Sequence, residues 1–244
     1  MSKTTFQARL DLEQGRFSLE KTTSSMNRTV ALLGLWAAVA TTTLNLLFTI
    51  GIVAIPASPW SDLKGYANAY RAVESLPAIP SLLLGPAVIV LMLSIHYHAS
   101  QEQKILSLSA SAFAVVYAAL TGLNYFVQLT VVRQSLVAGQ MDGLAPFIMA
   151  NPQSVMLAID TLGYFFLFLA CLFAAPVFAG GRLETAIRWL FLGSGALGLL
   201  GILGFALGQQ QLYFIGLMIS GAPFLVLTVL LAALYYRQIQ AFTP

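Results

Sequence analysis

Six long apolar runs dominate the chain, at approximately 29–55, 76–97, 105–132, 154–178, 185–207 and 211–236, with short polar stretches between them. Crossing about 30 Å of hydrocarbon at about 1.5 Å per residue takes roughly 20 residues, so each run is long enough to span a bilayer as a helix. Helices are required: an unpaired backbone group in lipid costs several kcal/mol, and the runs lack the short alternating pattern of a membrane barrel. The pattern predicts an all-α, polytopic integral membrane protein, a six-helix transmembrane bundle with short interfacial helices in its outer loops. It divides the chain into a polar or amphipathic N-terminal segment at 1–28, a transmembrane domain at 29–237 and a short tail at 238–244.

Composition agrees with this pattern. Only 9% of the residues are charged and 58% are hydrophobic, against about 25% charged in soluble domains. The first apolar run is too long for the core of a cleavable signal peptide, about 7 to 15 residues. The net charge of +3 is spread thinly along the chain, whereas a nucleic-acid footprint needs Lys and Arg gathered on one face. The basic residues instead report topology. With a cytoplasmic N-terminus, Lys3, Arg9, Arg16, Lys21, Arg28, Lys104, Arg182, Arg188 and Arg237 fall inside, and Lys64, Arg71 and Arg133 outside. That nine-to-three split is what the positive-inside rule predicts, and it places the chain in the cell inner (plasma) membrane with both termini cytoplasmic.

The loops carry local signals. Phe6, Leu10 and Phe17 are spaced loosely as on a helix face, which suits either a segment lying on the anionic inner leaflet or a disordered tail. After Pro56, Pro59 and Trp60, Ser61 or Asp62 is placed to cap a short helix carrying Leu63, Tyr66, Tyr70 and Val73 along one side, at the outer surface. The segment 133–153 repeats the theme with Leu144, Phe147, Ile148 and Met149, and Asn151-Pro152 marks the entry into the fourth span.

The candidate chemistry centres on Asp160, the one acidic residue inside an apolar run. An intramembrane carboxyl is costly and is a functional candidate by default, unless it is shallow enough to reach headgroup water or a neighbouring helix. Without a cation opposite it, burial favours its neutral form. Arg133, at the outer end of the third span, is the residue placed to reverse that by pairing with it.

Polar residues form stripes on three spans. Tyr117, Thr121, Asn124, Tyr125 and Gln128 follow helical spacing on the third, Thr41, Asn45 and Thr49 on the first, and Asp160 and Tyr164, beside Thr161, on the fourth. Convergence of the three would line a polar cleft open to the outside. The alternative is that they glue helices together at roughly 0.6 kcal/mol per contact. The ligand-binding candidates are Asp160, Asn124, Gln128, Asn45, Tyr164, Thr121 and Tyr125.

Other signals point to packing. Gly195, Gly198, Gly201, Gly204 and Gly208 on the fifth span, with Gly216 and Ser220 on the sixth, read as a close-approach seam and less readily as a groove for a flat lipid or quinone. Pro86 and Pro223 lie inside spans two and six. His96 and His98 are separated by one residue and point about 200° apart on a helix, which argues against haem ligation and leaves an interfacial or pH-sensing role.

The single cysteine, Cys171, forms no intrachain disulfide. No lysine lies mid-membrane for a Schiff base, and no phosphate-cradling loop, HExxH or serine triad occurs. Unless Asp160 works alone, the chain is poorly equipped for catalysis, and neither cofactor nor metal is expected. The leading expectation is a protein that binds, senses or transports a small neutral or amphipathic molecule. A non-catalytic structural subunit or assembly factor of a membrane complex is the alternative, and a membrane enzyme acting on lipid or quinone comes third. Membrane lipids, a small-molecule ligand and other membrane subunits are the partners these readings imply.

Overall fold

The computed structural model describes residues 3–242, with side chains from residue 28 onward except at 210, 214 and 218. The helices are α1 (Lys3–Ala54), α2 (Leu63–Ala69), α3 (Ala78–His98), α4 (Lys104–Val127), α5 (Arg133–Val137), α6 (Val155–Ala174), α7 (Arg182–Ala206) and α8 (Gln210–Ala241), and no strand occurs among the described residues. Six segments are long and apolar enough to cross a membrane: Arg28–Ala54, Ala72–His98, Gln101–Val137, Val155–Val177, Arg182–Ala206 and Gln211–Ala241. The chain is thus an all-α, multi-pass membrane protein built as a six-helix bundle.

The helix ends differ from the sequence pattern in informative ways. α1 runs unbroken from Lys3 into the first span, and α8 continues into the 238–244 tail. The side chains of Phe6, Leu10 and Phe17 lie outside the described residues. α3 and α8 continue through Pro86 and Pro223.

Each span packs on its sequence neighbours, α1 on α3, α3 on α4, α4 on α6, α6 on α7 and α7 on α8, and α8 closes the ring against α1. The short connections at 99–100, 178–181 and 207–210 return the chain antiparallel to the helix it has just left, and the longer segments 55–71 and 138–154 cover one end of the bundle.

Glycine sets several of these approaches. A Cβ at Gly201 would stand 3.1 Å from the Gly216 Cα, and one at Gly204 would stand 2.8 Å from the Tyr213 N, so α7 and α8 meet backbone to backbone. Gly195 and Gly198 instead face Leu172 and Phe168 of α6. The glycine row of α7 therefore serves two neighbours. Gly208 is not part of it: with φ +70 it follows α7, and the bonds Gly208 N→Phe205 O (3.0 Å) and Gln209 N→Gly204 O (2.8 Å) form a Schellman cap. Gly139 (φ +71) ends α5 in the same way.

The apolar core is confined to one half of the bundle. Val88, Leu91, Ile95, Ala114, Tyr117, Cys171, Phe191, Leu227, Leu231 and Tyr235 form one cluster towards the end where α8 terminates, hereafter the terminal end. A second cluster of Tyr66, Val132, Leu136, Leu144 and Ile148 closes the opposite, capped end. Here Asp62 caps α2, its Oδ1 accepting from Gly65 N at 2.7 Å. Tyr66 packs inward while Val73 stays exposed, so α2 lies against α5 and the 138–154 segment and carries only part of the apolar side its sequence suggests. Glu74 ties the first loop together, accepting from Ser58 N (2.8 Å), Ser58 Oγ (2.9 Å) and Arg71 Nε (2.9 Å).

Candidate functional site

The polar residues of α4 and α6 lie in the gap between the two apolar clusters. α6 starts where Ser154 caps it, its Oγ accepting from Met156 N (3.0 Å) and Leu157 N (3.3 Å) while donating to Pro146 O (3.0 Å). This fixes Asp160 about 8 Å along the helix from Val155. Gly163, one turn further on the same face, lets α4 come close: a Cβ there would stand 2.7 Å from the Thr121 Cγ2. The approach brings Asn124 Nδ2 within 3.1 Å of Asp160 Oδ1, with both residues buried at 0% and 1% exposure. Among the described residues no cation meets this carboxyl. Arg133 is exposed and forms no ion pair with Asp160 among the described residues.

The cluster is roofed by the 138–154 segment. Gln128 is half-buried and uses its amide as a two-sided clamp: Nε2 donates to Phe147 O (2.7 Å) and Oε1 accepts from Met149 N (3.2 Å). Its Nε2 also reaches Asn124 Oδ1 at 3.3 Å, and Asn124 Nδ2 meets Met149 Sδ at 3.3 Å. Gln128 opens a π-helical segment, Gln128–Val132, that links α4 to α5. Such segments are rare and frequent at functional sites, because the wider turn re-aims the side chains around it.

Aromatic rings wall the cluster. Tyr164 follows Asp160 by one turn on α6, and Tyr125 adjoins Asn124 on α4. The Tyr117 and Tyr164 rings are 5.8 Å apart, and Phe48 of α1 meets Tyr125 edge-on at 6.2 Å. Thr161, beside Asp160, shares a hydrogen bond with the Tyr213 hydroxyl of α8 at 3.1 Å. Elements α1, α4, α6, α8 and the roof segment thus all contribute.

The residues singled out by sequence divide into two groups. Asp160, Asn124, Gln128, Tyr125 and Tyr164 are brought together. Thr121 is there, but its hydroxyl bonds Tyr117 O of its own helix at 2.9 Å and only its methyl faces α6. Asn45 is half-buried, and no hydrogen bond joins its side chain to the cluster; its carbonyl accepts from exposed Thr49. The interhelical bond of α1 is made by Thr42, beside that stripe, whose Oγ1 donates to Thr228 Oγ1 of α8 at 2.8 Å. The buried Thr41 Oγ1 has no hydrogen-bond partner.

Met149, the Phe147 carbonyl, Gly163 and Tyr213 were not singled out as site residues. The signal for Gly163 was present in its i+3 spacing from Asp160. The roof contacts had none, because they join residues about 20 positions apart through a loop. At the terminal end, His96 bonds Ser107 (2.9 Å) and His98 bonds Gln238 (3.1 Å), so the two imidazoles serve different helices. Among the described residues no group of three or more His, Cys, Asp or Glu is placed to hold a metal. The chain matches no known protein family, no curated protein and no solved structure.

Proposed function

We propose that this protein binds, senses or transports a small neutral or amphipathic molecule in the polar cluster of α4 and α6, entered from the outer side of the cell inner (plasma) membrane by displacement of the 138–154 roof. The observation that carries the reading is Asp160 itself, a carboxyl 1% exposed, met by one amide and faced by no cation among the described residues. Such a group is expensive to keep within a membrane span, and structural glue is made as well by Asn or Thr. Asp160 is the anchor, Asn124, Gln128 and Tyr164 are hydrogen-bonding partners, and Tyr125 and the methyl face of Thr121 form walls. The distribution of Lys and Arg supports the capped end facing outward.

Gln128 gives the site a means of access. Its clamp on Phe147 and Met149 is made of side-chain hydrogen bonds, individually worth about 1 kcal/mol, so releasing the clamp costs little. The larger part of opening is lifting buried Leu144 and Ile148 from the apolar cluster of the capped end. Loop movements of this kind commonly gate ligand entry.

Native mass spectrometry of the protein extracted in mild detergent tests the proposal. The wild type carries a small-molecule or single-lipid adduct that Asp160→Ala and Asn124→Ala lose. Identical spectra for all three proteins refute it.

A second reading, a non-catalytic subunit or assembly factor, is favoured by α1. It is the least buried of the six spans and presents Leu33, Trp36, Leu47, Ile50 and Val53 outward. A stoichiometric second polypeptide in the same spectra, with no adduct dependent on Asp160, identifies that role.

A further inference from the structure

The chemistry around Asp160 narrows the ligand, given that the site binds one at all. We propose that the molecule it takes carries an organic ammonium group, held by the Asp160 carboxylate and by the tyrosine rings beside it.

Asn124 donates to Asp160 Oδ1, and no donor meets Oδ2 among the described residues. Asn124 is itself fully engaged by Gln128 and Met149, so its second role is to aim the carboxyl and not to neutralise it. An anionic ligand would be repelled here. A neutral ligand would leave the buried acid in its neutral form and make no use of its charge, whereas a cationic ligand holds it as the carboxylate. A hard metal ion needs six to eight oxygen ligands, and the described residues provide no second acid at the site.

The walls select among the remaining cations. Tyr164 lies one turn beyond Asp160 on α6 with the Tyr117 ring 5.8 Å from its own, Tyr213 bonds the neighbouring Thr161, Tyr125 adjoins Asn124 on α4, and the Met149 thioether meets Asn124 from the roof. Aromatic faces attract alkylammonium groups through the ring quadrupole while accommodating their carbon substituents, and a thioether is soft and adaptable. A small, strongly hydrated ion gains nothing from such walls. An alkylammonium gains from both features: charge pairing at Oδ2 and apolar contact around it. Its entry displaces Met149 from Asn124, a single soft contact at 3.3 Å.

Two sources supply this chemistry, a free amine from the outer solution and the headgroup of a choline lipid, and both approach from the capped end. The test is thermal unfolding of the purified protein with choline and with 3,3-dimethylbutan-1-ol, its neutral carbon isostere. Choline raises the wild-type midpoint and the alcohol does not. Asp160→Asn weakens the choline effect by roughly tenfold or more, in line with losing a charge-assisted bond. Tyr164→Phe keeps the effect because the ring remains, while Tyr164→Leu diminishes it, which a merely structural role for the tyrosine would not produce.

The same measurement in phosphatidylglycerol nanodiscs, with and without phosphatidylcholine, assigns the source. Stabilisation by phosphatidylcholine that depends on Asp160 marks the headgroup, and stabilisation by soluble choline alone marks a free amine. Equal stabilisation by choline and the alcohol, lost in Asp160→Asn, overturns the ammonium assignment and leaves the site standing. A wild type that responds to neither choline nor phosphatidylcholine overturns the assignment too. Whether the site itself survives is then read from the Asp160-dependent adduct in native mass spectra.

Discussion

Replacing Gly201 with Leu tests the α7–α8 contact that closes the bundle beside the site. Its Cβ would stand 3.1 Å from the Gly216 Cα and 3.2 Å from both the Gly216 carbonyl carbon and the Leu217 N. These are backbone atoms, so no rotamer change relieves them and the two helices must separate. Overpacking a well-packed interior costs about 1–3 kcal/mol, and contact with backbone puts this case near 3. Leu is a better helix former than Gly by somewhat under 1 kcal/mol, which offsets part of the loss and leaves about 2 kcal/mol. For a chain of this size that lowers the midpoint of thermal unfolding by about 4–8 °C. Cys171, the single cysteine and wholly buried, provides the assay: a thiol-reactive dye reports its exposure on heating in detergent. Gly193→Leu is the control, because no atom lies within 4 Å of its Cβ position. Equal midpoints for the two variants would refute the backbone contact and place Gly201 against lipid.

Further substitutions address the site and the orientation. Gly163→Leu forces α4 from α6 against the Thr121 methyl, lowering stability by about 2 kcal/mol, and separates Asn124 from Asp160; a midpoint equal to that of the wild type contradicts the close approach. Asp160→Asn keeps the fold within about 1 kcal/mol, because no cation is left unpaired, whereas a loss of about 3 kcal/mol or more would reveal a hidden partner such as Arg133. Gln128→Ala releases Phe147 and Met149, and hydrogen exchange of the Met149 amide rises clearly over the wild type; unchanged protection shows that the roof is held by other contacts. Engineered thiols in a Cys171→Ser background test topology: one near Asp142 labels from outside intact cells and one near Gly181 does not, and the opposite sidedness reverses the orientation.

The spans were legible in the sequence because the bilayer imposes one length and one composition on every crossing. The runs 76–97 and 154–178 match the structure's Ala72–His98 and Val155–Val177 closely for that reason. The meeting of Asp160 with Asn124 was also legible, since polar side chains on adjacent antiparallel spans avoid lipid by turning towards each other. Asn45 joins the cluster through no hydrogen bond among the described residues: its stripe lies on a helix whose principal neighbours are α3 and α8, and hydropathy does not report which spans are adjacent in the ring. Gly208 matched a packing motif by spacing, but its role is set by backbone conformation beyond the end of α7. The roof was hidden because the Gln128 clamp pairs a side chain with the backbone of a distant loop, and backbone acceptors have no residue signature.

The account turns on a site between α4 and α6 beneath Met149, and a high-resolution electron cryo-microscopy map of the protein in nanodiscs addresses it most directly. The map is predicted to show Asp160 turned into the bundle against Asn124, with non-protein density enclosed by Tyr117, Tyr125 and Tyr164 when ligand is retained. Asp160 facing the acyl chains, or the two helices parted at Gly163, would contradict it.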